Sequence, residues 1–291
     1  MWAAAFDVHA REPVIAVKSI LPIARYDASG AGRFAVHMGD AKLTGEMARG
    51  AVKSPAHTIA WDLRFPPSEG EVQRLPWVLR HLPLPTRVAH ANDRLSCTGT
   101  VTVDGITHRL ADAPGVQKHI WGTRRVEELF WACCPSFEED RSARLEATAV
   151  RVRRWLAGRP APHLTSIFLR TARGGHDLGG LLALARNRVE VPEVGRLAFA
   201  GASATASVRV QAWADPRTLA AWDYRDPAGW NVHVAHSDVA SCFVELRTRP
   251  HPFARWGPTR VLTCRHAAAI EFHEPEPLPG VRYLRWDDEH E

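Results

Sequence analysis

The chain has 291 residues, 45% hydrophobic and 24% charged, which is the profile of a globular protein with enough core to fold without disulfide staples. That balance excludes a disordered tail, a collagen-like fibre and a stapled miniprotein. The formal charge is +5, but the 37 basic residues include only four lysines (Lys18, Lys42, Lys53, Lys118). The arginines are spread along the whole chain among Asp and Glu, so nucleic acid is not an expected partner.

At the N-terminus, Met1 to Phe6 is followed by Asp7, Arg11 and Glu12, with no basic n-region and no long apolar run. We therefore expect no signal peptide and no membrane span. Five cysteines (Cys97, Cys133, Cys134, Cys242, Cys264) form an odd set without a C-x-x-C pair. Reduced thiols in a cytoplasmic protein are the simplest expectation.

Along the chain the dominant hydrophobic period is two. The first strand signals are Arg33–Met38 and the run Ile59, Trp61, Leu63, Phe65, which alternates with Ala60, Asp62 and Arg64. Prolines at 66–67, 76, 83 and 85 mark loops. Val101 to Thr107 then reads as a β-hairpin, because Asp104-Gly105 supplies the positive-φ pair of a tight turn. Arg144–Leu156 has helical composition but also alternates at Leu145, Ala147 and Ala149, and we read it as a strand. Further strands are expected at Leu164–Arg170, Ser207–Ala212, Cys242–Arg247, Val261–Cys264, Ala269–Phe272 and Val281–Trp286, with a helix or turn at Gly179–Arg186. The Gly158–Pro162 segment is either a linker or a long hairpin loop. Many short strands with Pro/Gly/Asp turns predict an all-β chain of two barrel or sandwich domains, which we divide as residues 1–140 and 141–291.

The densest candidate site runs from Pro114 through Gln117, His119, Trp121 and Arg124 to Trp131 and Phe137. In an extended segment Gln117, His119 and Trp121 share one face. That face offers an amide, an imidazole and an indole, and Gly122 then allows close backbone approach.

His119-x-Trp121-Gly122, preceded by Pro114-Gly115 and followed by a Trp-rich strand, resembles the tandem-lipocalin (calycin-like) family. That family includes carotenoid hydratases, tocopherol-cyclase-like proteins and decalin-forming Diels–Alderases. The similarity covers Trp61-Asp62-Leu63, Leu75-Pro76 and the Gly99–Gly105 hairpin strand, roughly Thr58 to Phe137. It implies two lipocalin-like domains in tandem around a hydrophobic small-molecule ligand. It also implies catalytic roles for His119 and Trp121, with Gln117, Trp131, Arg124 and Phe137 contacting substrate. The downstream Tyr and Asp of the hydratase branch have no counterpart here. The sequence continues instead with Trp131, Cys133, Cys134 and Glu138-Glu139-Asp140.

The expected function is therefore cofactor-independent cyclisation, hydration or a pericyclic step on an isoprenoid, polyene or polyketide-like molecule. A non-catalytic carrier of a lipophilic ligand is the alternative. Two further clusters carry weaker expectations. His233-Val234-Ala235-His236-Ser237-Asp238 looks like metal ligands but lacks a recognised set around it, so no metal is assigned. The family resemblance implies a loop here that leads into a strand at Ser241–Arg247. Trp213, Trp222, Tyr224 and Trp230, near Asp223 and Asp226, suit a barrel rim better than a substrate box. Glu138 to Asp140 is read as a solvated turn. No Gly-rich phosphate motif follows Gly30-Ala31-Gly32 or Gly174-Gly175, so no nucleotide cofactor is expected.

Overall fold

A computed structural model describes residues 1–28, 34–67, 72–84, 86–152, 155–156, 159–225 and 231–284. The expectations placed on Gly30–Arg33, Pro85, Gly158, Asp226, Trp230, Arg285 and Trp286 lie outside these residues. The described chain is almost entirely β, as the period-two pattern implies. No helix among these residues is long and apolar enough to cross a membrane.

The chain forms two compact units, one of residues 1–73 and 89–119, the other of residues 74–88 and 120–291. In the first, strands β1 (Trp2–Phe6) and β2 (Val14–Lys18) make a hairpin. An antiparallel meander follows: β3 (Tyr26–Asp27), β4 (Ala35–Met38), β5 (Ala41–Thr44), β6 (Met47–Lys53), β7 (Thr58–Arg64), β8 (Thr86–Val103) and β9 (Ile106–Gly122), of which residues 86–88 and 120–122 are counted with the second unit. Val17 of the hairpin packs with Val52 and Ile59 of the sheet, flanked by Trp61, Val101 and Val103. Those residues are the apolar members of the alternating runs. The β8–β9 turn is the expected Asp104-Gly105, with φ of 48° and 84°. Gly99 is needed for a different reason. Its φ is 135°, and a Cβ there would lie 2.0 Å from the Asp62 carbonyl oxygen, so the close approach of β7 tolerates no side chain.

The second unit holds α1 (Trp77–Arg80) and strands β10 (Glu128–Cys134), β11 (Arg144–Arg151), β12 (Trp155–Leu156), β13 (Arg159–Pro160), β14 (Leu164–Thr171) and β15 (Gly174–Asp177). After α2 (Leu181–Arg186) come β16 (Arg188–Glu193), β17 (Arg196–Ala202), β18 (Ala206–Trp213), β19 (Ala220–Arg225), β20 (Asn231–Thr248) and β21 (Arg260–Glu274). Ten of them form one sheet in the order β15-β14-β11-β10-β21-β20-β18-β17-β16, with β19 also paired to β20. β10, which the sequence division placed before residue 140, therefore hydrogen bonds to β11 and β21 of this unit.

One face of the sheet encloses a large apolar core. Phe130, Ala132 and Cys134 of β10 meet Leu145, Ala147 and Ala149 of β11, Ile167 and Leu169 of β14, and Ile270 and Phe272 of β21. All five cysteines are buried free thiols, and Phe137 is 2% exposed within this core.

Three sequence expectations change here. The two segments Val261–Cys264 and Ala269–Phe272 are one continuous strand. Val281–Trp286 is not a strand in its described part, where Tyr283 makes a single parallel bridge to Ala221. The His233–Ser241 stretch is the interior of an eighteen-residue strand rather than a loop. A bulge explains why that last stretch misleads. From Val232 to Leu246 the even positions carry most of the apolar residues, so strict alternation puts His236 and Asp238 in the core beside Val244 and Leu246. Register shifts between Ser237 and Ala240, opposite Ile270 and Ala268, insert an extra residue on β20. The core face is thus Ala235 before the bulge and Ala240, Cys242, Val244 and Leu246 after it. His236 is turned to the opposite face, as bulges re-aim side chains.

Candidate functional site

On that opposite face of the second unit, cross-strand pairing lines up Thr148 of β11, Trp131 of β10, Glu271 of β21, His236 of β20 and Ala220 of β19. Side chains in register on one face are neighbours, and here the neighbours are polar. Nδ1–H of His236 donates to Oε2 of Glu271 at 3.0 Å. The other ring nitrogen, Nε2, lies 3.0 Å from Oδ1 of Asp238. Glu271 spends its second oxygen on His273, whose Nε2–H donates to Oε1 at 2.7 Å. A continuous chain results: Asp238, His236, Glu271, His273.

The electrostatics follow from this geometry. Burial alone would lower the His236 pKa, but the carboxylates of Asp238 and Glu271 reverse that and push it up to about 10. Burial would raise Glu271, yet the two histidines hold its carboxyl well below the usual range. Asp238 is likewise kept low, because His236 outweighs desolvation. His236 is therefore an imidazolium at neutral pH, clamped between two carboxylates. Exposure grades along the chain: the side chains of His273 and His236 are 7% and 16% exposed, and those of Glu271 and Asp238 are 24% and 57%. Asp238 is the most solvent-exposed member.

Aromatic groups wall it. The Trp131 indole lies nearly parallel to the His236 ring, with centroids 6.2 Å apart and 13° between planes. Its Nε1–H donates diagonally to Oε1 of Glu146 on β11 at 3.0 Å, and Arg74 Nε sits 3.1 Å from the other Glu146 oxygen. Arg74 also covers the Phe168 ring at 4.6 Å. On the other side of His236, Trp222 is tilted at 6.3 Å. Tyr224 stands edge-on to Trp222 at 5.9 Å, and the Arg125 guanidinium lies 3.9 Å above the Tyr224 ring. Such guanidinium–ring contacts are favourable cation–π pairs.

Of the residues singled out from the sequence, Trp131 belongs to this cluster. Trp121 is half-buried in the second unit. Arg124 reaches the Val152 carbonyl at 3.2 Å, and its own carbonyl accepts a bond from the Thr86 hydroxyl. Phe137 is a core residue. In the first unit His119 is exposed and tilted against Phe34, with ring centroids 6.3 Å apart. Gln117 is occupied structurally: its Oε1 accepts from Asn92 Nδ2 at 3.0 Å and its Nε2 donates to the Thr44 carbonyl at 3.3 Å. The His233–Asp238 motif divides between the faces of β20. His233 pairs with Asp223 at 2.6 Å and packs edge-on to Tyr283, whereas His236 joins Glu271. The Glu138–Asp140 turn is structural, with Glu139 accepting from the Thr263 amide and Asp140 from Ser142 and Ala172.

Glu271, His273, Glu146 and Arg74 are the residues that sequence reading missed. Each is an isolated polar residue in an alternating or loop segment, and only the register shows which of them meet. A second buried ion group, on the core-facing side of β10, joins Glu128 to Arg151 at 2.8 Å and to His163 at 3.0 Å.

No protein-family model matches the chain, and no curated protein matches it. Among solved structures, the crystal structure of kievitone hydratase from Nectria haematococca is similar at a TM-score of 0.48 and 9% identity. The match covers 90% of this chain and 74% of that one. A likeness of this degree bears on none of the residues described above.

Proposed function

We propose that the protein is a cofactor-independent enzyme that moves protons on a hydrophobic small molecule, adding water to it or closing a ring. Isoprenoid, polyene or polyketide-like molecules are the substrate class. The observation carrying this reading is the Asp238–His236–Glu271–His273 chain set against Trp131 and Trp222. A carrier has no use for such a chain, and desolvating its charges costs stability that an apolar lining would not. A pericyclic step needs orientation and one or two hydrogen bonds, not a row of titratable groups.

The division of labour follows from position. Asp238, the most exposed member, takes the proton from the attacking water or hydroxyl as the new C–O bond forms and the C=C π bond breaks, and it delivers that proton to the neighbouring carbon. His236 holds Asp238 in place and compensates charge there, while Glu271 and His273 fix the orientation of His236. The indoles of Trp131 and Trp222 supply faces suited to a developing carbocation.

Turnover of a substrate panel in H₂¹⁸O and in D₂O, read by mass spectrometry, tests the proposal. Label from water oxygen marks hydration, and deuterium in an isomeric product marks cyclisation. Asp238→Asn and His236→Gln are expected to reduce turnover about 100-fold or more. A ligand that co-purifies unchanged, with no turnover of any panel member, would support the carrier instead. The assignment of His119 and Trp121 as catalytic rests on the family resemblance, and His119→Ala separates the two. Full activity in that variant removes His119 from the site.

A further inference from the structure

The end of β20, its connection to β21 and the first half of β21 form a basic stretch. From Leu246 to Ile270 there are five arginines (Arg247, Arg249, Arg255, Arg260, Arg265) and no Asp or Glu. At its tip stands Phe253, 95% exposed, the most exposed large hydrophobic side chain among the described residues. His251, Pro252 and Arg255 beside it are also exposed.

This tip is tied down by hydrogen bonds on both sides. Ala254 N–H donates to the His251 carbonyl at 3.0 Å and Gly257 N–H to the Thr248 carbonyl at 2.9 Å. Arg249 N–H donates to the Thr205 carbonyl at 2.9 Å. The Arg249 guanidinium bonds the Ala204 carbonyl at 2.7 Å and lies 4.4 Å above the Trp256 ring, with Arg247 at 5.9 Å. Pro250 and Pro252 restrict the backbone further. The structure thus spends several bonds to hold a loop whose tip presents a bare phenyl ring to water, with Arg255 two residues away.

We infer that the Arg249–Pro258 tip is an interfacial anchor that docks the protein on an anionic lipid bilayer, with Phe253 inserted among the acyl chains and Arg247, Arg255 and His251 at the headgroups. Charge complementarity identifies the surface, because the Arg249–Pro258 tip carries Arg249, Arg255 and no acid, and such a tip is attracted to a leaflet carrying negative lipids. The isolated phenyl identifies it as a bilayer rather than nucleic acid. A base needs a stacking platform, and Arg249 already occupies the Trp256 face, whereas a single aromatic at a cationic tip suits the headgroup–acyl boundary. The inference is independent of the proposed catalytic site, which lies on other residues of the unit.

Vesicle flotation of the full chain tests it. The protein is expected to float with vesicles of phosphatidylcholine and phosphatidylglycerol at low salt, to be released at high salt, and to float poorly with phosphatidylcholine alone. Phe253→Ser and Arg255→Glu, both at exposed positions and both checked for native circular dichroism, are each expected to reduce binding about tenfold. Equal flotation of wild type and both variants, or equal binding to neutral vesicles, overturns the inference. So does a concentration-dependent dimer that Phe253→Ser abolishes, or tighter binding to a single-stranded oligonucleotide than to the anionic vesicles.

Discussion

Replacing Glu271 with Gln keeps the shape of the side chain and removes the charge that joins His236 to His273. In the wild type the rise of the His236 pKa from 6.5 to about 10 corresponds to at most about 5 kcal/mol of favourable interaction. Asp238 contributes part of that, but its carboxylate is 57% exposed and screened by solvent. Glu271, at 24% exposure, supplies the rest, so Glu271→Gln is expected to cost about 2 kcal/mol. The sign with pH is fixed by linkage. A histidine whose folded pKa is raised stabilises fully below about 6.5, and that contribution fades as pH rises towards 10. A depressed glutamate contributes above about 4.5 and loses its contribution as pH falls. The difference between wild type and variant should therefore be largest near pH 6 and smaller at pH 10. Urea unfolding followed by tryptophan fluorescence at both pH values measures it, and NMR of the His236 ring follows its protonation directly. If wild-type His236 titrates near its ordinary value, or if the variant is as stable as wild type at pH 6, the clamped imidazolium is wrong.

Other substitutions probe other parts of the molecule. Phe137→Ala should lower stability by about 3–5 kcal/mol, as deletion of a buried aromatic does, visible as an early unfolding transition. Trp131→Phe deletes the Nε1–H bond to Glu146 and should cost about 1–2 kcal/mol in urea unfolding. Glu128→Gln breaks the bridge between Arg151 and His163 and, with Glu128 only 5% exposed, should destabilise by about 3 kcal/mol. Gly99→Ala should cost at least about 2 kcal/mol, or abolish soluble expression, because its Cβ collides with the Asp62 carbonyl.

Much of the architecture was legible in the residues themselves. Alternation at Ile59–Phe65 and Ser207–Ala212 marked strands, since a strand with one buried face must repeat every two residues. Asp104-Gly105 marked its hairpin because few other pairs take two positive φ values cheaply. Trp131 was legible as a candidate, and His236 and Asp238 were noticed as a metal-like motif left without a metal, Trp222 and Tyr224 as a barrel rim. What misled was local parity. A bulge at Asp238 and Val239 costs one residue of register, leaves no mark in composition and reverses the faces of everything before it.

The sequence by itself determined the all-β class, its turns and the apolar set that becomes the core. These depend on side-chain alternation and local backbone preference, which neighbours along the chain suffice to express. Only the tertiary structure decided that Glu271 would stand between His236 and His273, that Glu146 would take the Trp131 indole and Arg74, that Gln117 would bond Asn92 and the Thr44 carbonyl, and that Phe137 would enter the core. Those assignments depend on which strands pair and in what register. Pairing joins residues more than a hundred positions apart, such as Trp131 and Glu271, so no local pattern encodes it.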